Sequence, residues 1–252
     1  MKKLFLFLLL APCVAVSAGN EAPELASVMS LFSPSPAPRD TNKVDGAGAK
    51  TGFWVEKEGA NSWEGYYVNG KREGSWTGSR IGSTLPGNID TYRNGMKHGV
   101  SIGIDASGTV FKIENYFNDT LEGIRRTYFA GGKLKSEEMY TRGKLHGSKK
   151  LYGANAKPLE EGNFVNGERQ GLNKWYYSGG ALYTELNYQN GNLQGKMTAY
   201  HVNGNKQSEG MYVNNEMEGE YFEFYESGKL KKKGMYLHGA ETGTWTTYYE
   251  SG

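Results

Sequence analysis

The 252 residues contain a single cysteine, Cys13, and it falls in an N-terminal segment that reads as a leader. Beyond it the chain has no means of forming a disulfide, a thiol nucleophile or a cysteine metal site, which suits an oxidising compartment. An excess of one charge is missing too. Setting aside Lys2 and Lys3 takes the 29 basic residues to 27, against 27 acidic ones. A nucleic-acid binder that tracks phosphates normally shows a basic excess, and none is visible. The apolar run Leu4 to Ala11 is too short to span a bilayer. No stretch sustains helical spacing, and there is neither a serine nucleophile elbow nor a phosphate-binding glycine loop.

Lys2, Lys3 and the apolar run, followed by Val16-Ser17-Ala18, have the form of a secretory signal over residues 1–18 with cleavage after Ala18. Lipid anchoring through Cys13 is the alternative, and Pro12 immediately before it argues against that. Residues 19–50, centred on Ser33-Pro34-Ser35-Pro36-Ala37-Pro38, read as a Pro/Ser/Ala-rich linker in which Glu24 to Phe32 has room for a helical turn or two. Export to the periplasm or the cell surface is the expectation.

What the chain does have is a period. Tyr92, Tyr116, Tyr140, Phe164, Tyr188, Tyr212 and Tyr236 are 24 residues apart, each followed seven residues later by glycine: Gly99, Gly123, Gly147, Gly171, Gly195, Gly219 and Gly243. A second aromatic series, Tyr128, Tyr152, Tyr176, Tyr200, Phe224 and Tyr248, runs half a period out of phase. Short aromatic segments separated by turn residues every twelve positions predict β-hairpins in a repeat array over 51–252. One turn position holds Gly95, Asp119, Gly143, Gly167, Gly191, Asn215 and Gly239, all tolerant of the positive φ that a tight hairpin turn needs. The other holds Gly108, Gly132, Gly180, Gly204, Gly228 and Gly252, with Ala156 the departure and Asn155 a candidate for the left-handed residue there.

Two-residue turns at both positions fix a register. Arg126 then faces Glu137, Lys150 faces Glu161 and Lys174 faces Glu185, each pair contributing a few tenths of a kcal/mol. Tyr116, Tyr140, Phe164 and Tyr188 share an apolar face with Leu134, Leu182, Leu230, Phe129, Tyr177 and Tyr225. The charge pairs share a wet face with Tyr128, Tyr152, Tyr176 and Tyr200. Weaker copies upstream, at Tyr67, Asn69-Gly70 and Gly74 and at Gly52 and Trp54, bring the count to 16–17 strands. The predicted fold is all-β: an elongated, single-layer antiparallel meander of hairpins, on the order of 75 to 80 Å long at ~4.8 Å per strand.

The unit Tyr-x-x-Gly-x-x-x-Gly-x-x-x-x-Tyr-x-x-x-Gly, clearest in Tyr188 to Gly204 and Tyr236 to Gly252, resembles the MORN repeat (membrane occupation and recognition nexus) in its longer bacterial variant. Asp119, Asn215 and Ala156 depart from its glycine positions, and 78–88 is irregular. The resemblance implies a binding scaffold. Some bacterial members are described as antitoxin or immunity components and eukaryotic members are linked to membranes; no catalytic residues carry over.

Candidate sites are therefore weighed against structural roles. His98 and His146, each just before a motif glycine, are two repeats apart, roughly 19 Å at ~4.8 Å per strand, too far to share a metal. Glu137, Glu161, Glu185 and Glu209 recur once per unit and read as a solvated ladder, not as a catalytic pair. Lys229, Lys231, Lys232 and Lys233 form the dense basic run, and its functional reading is weak contact with an anionic membrane surface. Alternation, however, puts successive lysines on opposite faces, which favours a solvated strand guarding the sheet near its open end. A single layer cannot bury both faces, so Trp175, Tyr177, Tyr221, Tyr225, Trp245 and Tyr249 are the expected partner-binding residues. The expected partner is another protein, a toxin in the most specific version, with lipid or glycan as the alternative and with no nucleic acid, cofactor or metal.

Overall fold

The structure, a computed structural model, describes residues 40–251. The expected signal, residues 19–39 of the expected linker and Gly252 lie outside the described residues. All regular structure among the described residues is β. Strand β1 (Lys43–Val44), inside the stretch read as linker, lies along β2 (Lys50–Glu58). From β2 the chain meanders through β3 (Asn61–Val68), β4 (Lys71–Arg80), β5 (Pro86–Arg93), β6 (Met96–Ile104) and β7 (Val110–Phe117). It continues through β8 (Thr120–Leu121), β9 (Gly123–Tyr128), β10 (Leu134–Thr141), β11 (Lys144–Tyr152) and β12 (Pro158–Val165). Then come β13 (Glu168–Arg169), β14 (Gly171–Tyr176), β15 (Leu182–Gln189), β16 (Asn192–Tyr200) and β17 (Lys206–Val213). The last strands are β18 (Glu216–Met217), β19 (Gly219–Phe224), β20 (Leu230–Leu237) and β21 (Ala240–Thr247).

Every pairing is antiparallel within one 21-stranded sheet and joins neighbours in this order, except that β7, β12 and β17 also pair with β9, β14 and β19 beyond the short strand between them. Three of the 21, β8, β13 and β18, are short starts of strands that resume as β9, β14 and β19 after one residue. Joining each to its continuation (21 minus 3) leaves 18 strands, 17 of them from β2 to β21, as the repeat count predicts. Extensive packing is confined to adjacent strands. The sheet is thus held together locally, as in other solenoid-like arrays.

Both turns follow from residues that accept positive φ. The first is a two-residue turn in which both central residues are left-handed, as at Asn94 (52°) and Gly95 (85°), or Asn214 (50°) and Asn215 (71°). That conformation matches the twist of the flanking strands. The second turn is longer than expected. Phe129 N–H bonds Lys133 O at 2.8 Å and Gly132 N–H bonds Phe129 O at 2.9 Å, so three residues fill the loop. A register shift between Leu134 and Ser136 absorbs the extra residue. The charge pairs are consequently in the expected register: Arg126 opposite Glu137, Lys150 opposite Glu161, Lys174 opposite Glu185. Ala156 takes the left-handed conformation itself, at φ 61°. Asn155 instead accepts from Lys157 N–H at 3.1 Å and donates to Ser178 O at 2.8 Å.

The bulge also corrects the faces. Shifting by one residue turns a side chain to the other side of the sheet. Leu134, Leu182 and Leu230 pair with Tyr128, Tyr176 and Phe224, and so lie with the second aromatic series and not with the motif tyrosines. The face that carries the charge ladder is therefore not wet throughout. At its N-terminal end Ile89, Ile102, Ile104, Val110 and Tyr128 form a buried cluster with Val100, Ile113 and Leu134 against it. The tyrosine face, conversely, buries charge at Asp90, Glu114 and Glu160.

Candidate functional site: the tyrosine face

Across each first turn the motif aromatic faces the residue five positions on: Tyr67 with Arg72, Tyr92 with Lys97, Phe164 with Arg169, but Tyr140 with Leu145 and Tyr188 with Leu193. Where that residue is arginine an aromatic cage forms, whereas Lys97 pairs with Asp90 at 3.0 Å and lies over the Tyr116 ring alone. The Arg72 guanidinium lies 4.1 Å from the Trp76 ring and 5.4 Å from Tyr92, and donates to Glu56 at 2.7 Å. Glu56 also accepts from Tyr67 and Lys50. Burial pushes its carboxyl up, but bonds from Lys50, Arg72 and Tyr67 outweigh that and hold it down at about 2. Trp76 fits because Gly65 leaves its place empty; a Cβ there would stand 2.5 Å from the indole.

A second cage surrounds Arg169, 4.9 Å from both Phe164 and Trp175 and 5.8 Å from Tyr188. Its Nη2 meets Glu160 at 2.5 Å, Lys149 approaches the same carboxylate at 3.1 Å, and Arg169 Nη1 donates to the buried Asn173 at 2.8 Å. A third brings Lys232 to 4.1 Å from Trp245 and 3.0 Å from Glu241, with Tyr221 and Tyr236 packed edge-on nearby. The indole N–H of Trp245 is buried and, among the described residues, lacks a hydrogen-bond partner. Between the first two cages Arg125 bridges Glu114 and Glu138 at 3.0 Å each, and Tyr116 and Tyr140 donate to those carboxylates. Burial and the adjacent Glu114 push the Tyr116 hydroxyl up to about 12.

The expected partner residues do not form one patch. Trp175 belongs to the Arg169 cage, and Tyr221 and Trp245 to the Lys232 cage; the two cages are six strands apart, about 30 Å at ~4.8 Å per strand. Tyr177 and Tyr225 brace the second turns, their hydroxyls donating to Tyr200 O at 2.8 Å and Tyr248 O at 2.9 Å in the following repeat. Tyr249, next in that series, is 85% exposed. The turn glycines Gly143, Gly167, Gly191 and Gly239 are all left-handed, and so are the motif glycines Gly123, Gly147, Gly171, Gly195, Gly219 and Gly243. Arg72, Arg169 and Glu160 were not singled out from sequence, because they occupy positions held by leucine, serine or threonine in other repeats. An arginine at a position that holds leucine in three other repeats, within reach of a tryptophan, is the signal that marks them.

The remaining candidates have structural roles. His98 Nδ1 lies 3.2 Å from the Asn118 amide oxygen, and His146 Nδ1 accepts from Asn166 N–H at 3.4 Å. Glu122, Gln170, Gln194 and Glu218 cap the next first turn in the same way. In the basic run, Lys231 pairs with Glu223 at 2.6 Å and Lys232 with Glu241, while Lys229 donates to Glu250 O. Among the described residues no cluster of His, Asp and Glu is placed to hold a metal ion.

A single open sheet with recurring side-chain environments and neighbour-only packing defines a repeat scaffold. Residues 121–141, 169–190 and 217–238 match the MORN repeat variant, so the chain carries MORN repeats. Successive matches begin 48 residues apart, two 24-residue periods, and the intervening units occupy the same sheet with the same turns. No curated protein matches the chain.

Proposed function

We propose that this is an exported, non-enzymatic scaffold that binds another protein through its tyrosine face, in the periplasm or at the cell surface. The observation that carries the reading is the set of cation–aromatic cages at intervals along one face. Trp, Tyr and Arg are the residues that most often anchor protein interfaces, and here they are held rigid by packing. The ionisable groups also favour binding over catalysis. Acid–base catalysts are tuned toward neutral pH, whereas Glu56, Glu114 and Glu160 are shifted down and Tyr116, Tyr140 and Tyr176 up. An immunity or antitoxin role is the most specific form of the proposal and rests on family analogy.

The test is capture from envelope extract with folded variants, Trp175→Ala with Tyr177→Ala and Trp245→Ala with Tyr249→Ala. Capture of a defined protein that weakens in both variants and persists at moderate salt supports the reading. Liposome flotation that collapses with salt, with no protein captured, replaces it with attachment to anionic membrane.

A further inference from the structure

We propose that the ladder face binds the same face of a second copy of this chain, in a two-fold dimer. Arg126, Glu137, Lys150, Glu161, Lys174 and Glu185 occupy one column on six successive strands, each directly opposite the next. An alternating column with an even number of members is its own complement when read backwards. A two-fold axis between the faces, parallel to the strands and passing between Lys150 and Glu161, sets Arg126 against the second copy's Glu185 and Glu137 against its Lys174. It sets Lys150 against Glu161 twice. A closed dimer of this kind needs such a self-complementary patch.

The same axis preserves position along the strands, so rows on either side of the column also meet themselves reversed. Tyr128 faces Leu182 of the second copy, Leu134 faces Tyr176, and Tyr152 faces Pro158. On the other side Met139, 41% exposed, faces Leu172, 40% exposed. Turning the second copy about the long axis of the array instead stacks each charge on its own duplicate.

Existing ion pairs show where the second copy contributes most. Arg126 and Glu137 pair at 2.7 Å, and Lys174 and Glu185 at 3.0 Å, within one sheet. Lys150 and Glu161, though opposite in register, make no ion pair within 4.0 Å among the described residues. They flank the axis. Six strands at ~4.8 Å, each about 20 Å long, give a footprint of roughly 600 Å² per copy, at the lower end for specific interfaces. The dimer is therefore weak and concentration-dependent. It uses the face opposite the cages and does not depend on the function proposed for them.

Sedimentation of the purified chain across a concentration series tests this. Lys150→Glu and Glu161→Lys each place two like-charge contacts at the axis and should weaken dimerisation more than about tenfold. Mixed in equal amounts, they restore both contacts, and a heterodimer should reappear. If either variant fails to fold by circular dichroism, Met139→Lys mixed with Leu172→Glu applies the same test at exposed positions. A chain that stays monomeric to roughly 0.5 mM, well above the range of specific complexes, overturns the proposal. So do folded single variants that dimerise like the parent, or mixtures that stay monomeric.

Discussion

Replacing Arg169 with leucine tests whether the cages stabilise the sheet. Leucine occupies the equivalent place as Leu121, Leu145 and Leu193, so the backbone accepts it. The variant leaves Glu160, with 9% of its side chain exposed, facing Lys149 alone. Breaking a fully buried pair costs about 3–5 kcal/mol. Arg169 is 24% exposed and Lys149 remains, so about 2 kcal/mol is the fitting share here. Lost cation–π contact with Phe164 and Trp175 adds about 0.5–1 kcal/mol. Leaving the buried Asn173 amide oxygen without its Arg169 donor adds about 1–3 kcal/mol, so the total expected loss is about 4–6 kcal/mol. Adding Glu160→Ser, the residue found at equivalent positions Ser136 and Ser208, removes the stranded carboxylate and should recover about 2 kcal/mol, the Asn173 and cation–π losses remaining. Urea unfolding at neutral pH gives the overall values, and amide exchange across 158–176 localises them, since arrays need not unfold in one step. Burial raises the Glu160 carboxyl, but Arg169 and Lys149 bonds hold it below its usual range. Its contribution is therefore present above the unfolded value and lost as pH falls through the folded one, so parent and Arg169→Leu should converge in acid. A neutral Arg169→Leu, or a double variant that loses the sum of the two singles, refutes the reasoning.

Ala156→Gly should stabilise by about 1 kcal/mol, because alanine at φ 61° carries the left-handed penalty that glycine avoids; a melt no higher than the parent's would contradict this. Gly234→Ala should cost more than about 2 kcal/mol and shift tryptophan fluorescence, as its Cβ would stand 2.2 Å from the Trp245 ring; an unchanged spectrum would speak against that packing. Acid should loosen β2 to β4 between about 4.5 and about 2, where Glu56 loses its depressed-pKa contribution. Amide exchange in those strands, unchanged over that range, would show that Glu56 is not the determinant.

Most of the fold was legible because each repeat carries its own punctuation. Left-handed residues at Gly143 or Asn215 can serve little else than a tight turn, and the 24-residue spacing fixed the strand count. The face of Leu134, Leu182 and Leu230 was not legible, although the charge pairs do share a face with Tyr128 and Tyr176 as expected. It depends on one extra residue at the second turn and the bulge that absorbs it, which preserve the pairing of Arg126 with Glu137 yet turn Leu134 over. Ala156 misled for a related reason: tertiary context forces the conformation that its chemistry disfavours. The cages were hidden because a strict period favours what every unit repeats, and a basic residue five positions after the motif aromatic stands in some units, at Arg72, Lys97 and Arg169, but gives way to leucine at Leu121, Leu145 and Leu193.

The strands lie across the long direction of the sheet, with the short β1 on β2 at one end and β21 at the other. Tension applied between those ends loads the ladders in series, so they open one at a time, weakest first, and the hydrogen bonds of different ladders do not share the load. Under load the protein should pay out length in increments of a hairpin, at low force. The side chains that cap the following turn, such as Glu122 on Arg142 and Glu218 on His238, act as catches between successive increments. A scaffold of this design yields gradually between two attachment points and re-forms hairpin by hairpin when the load is removed.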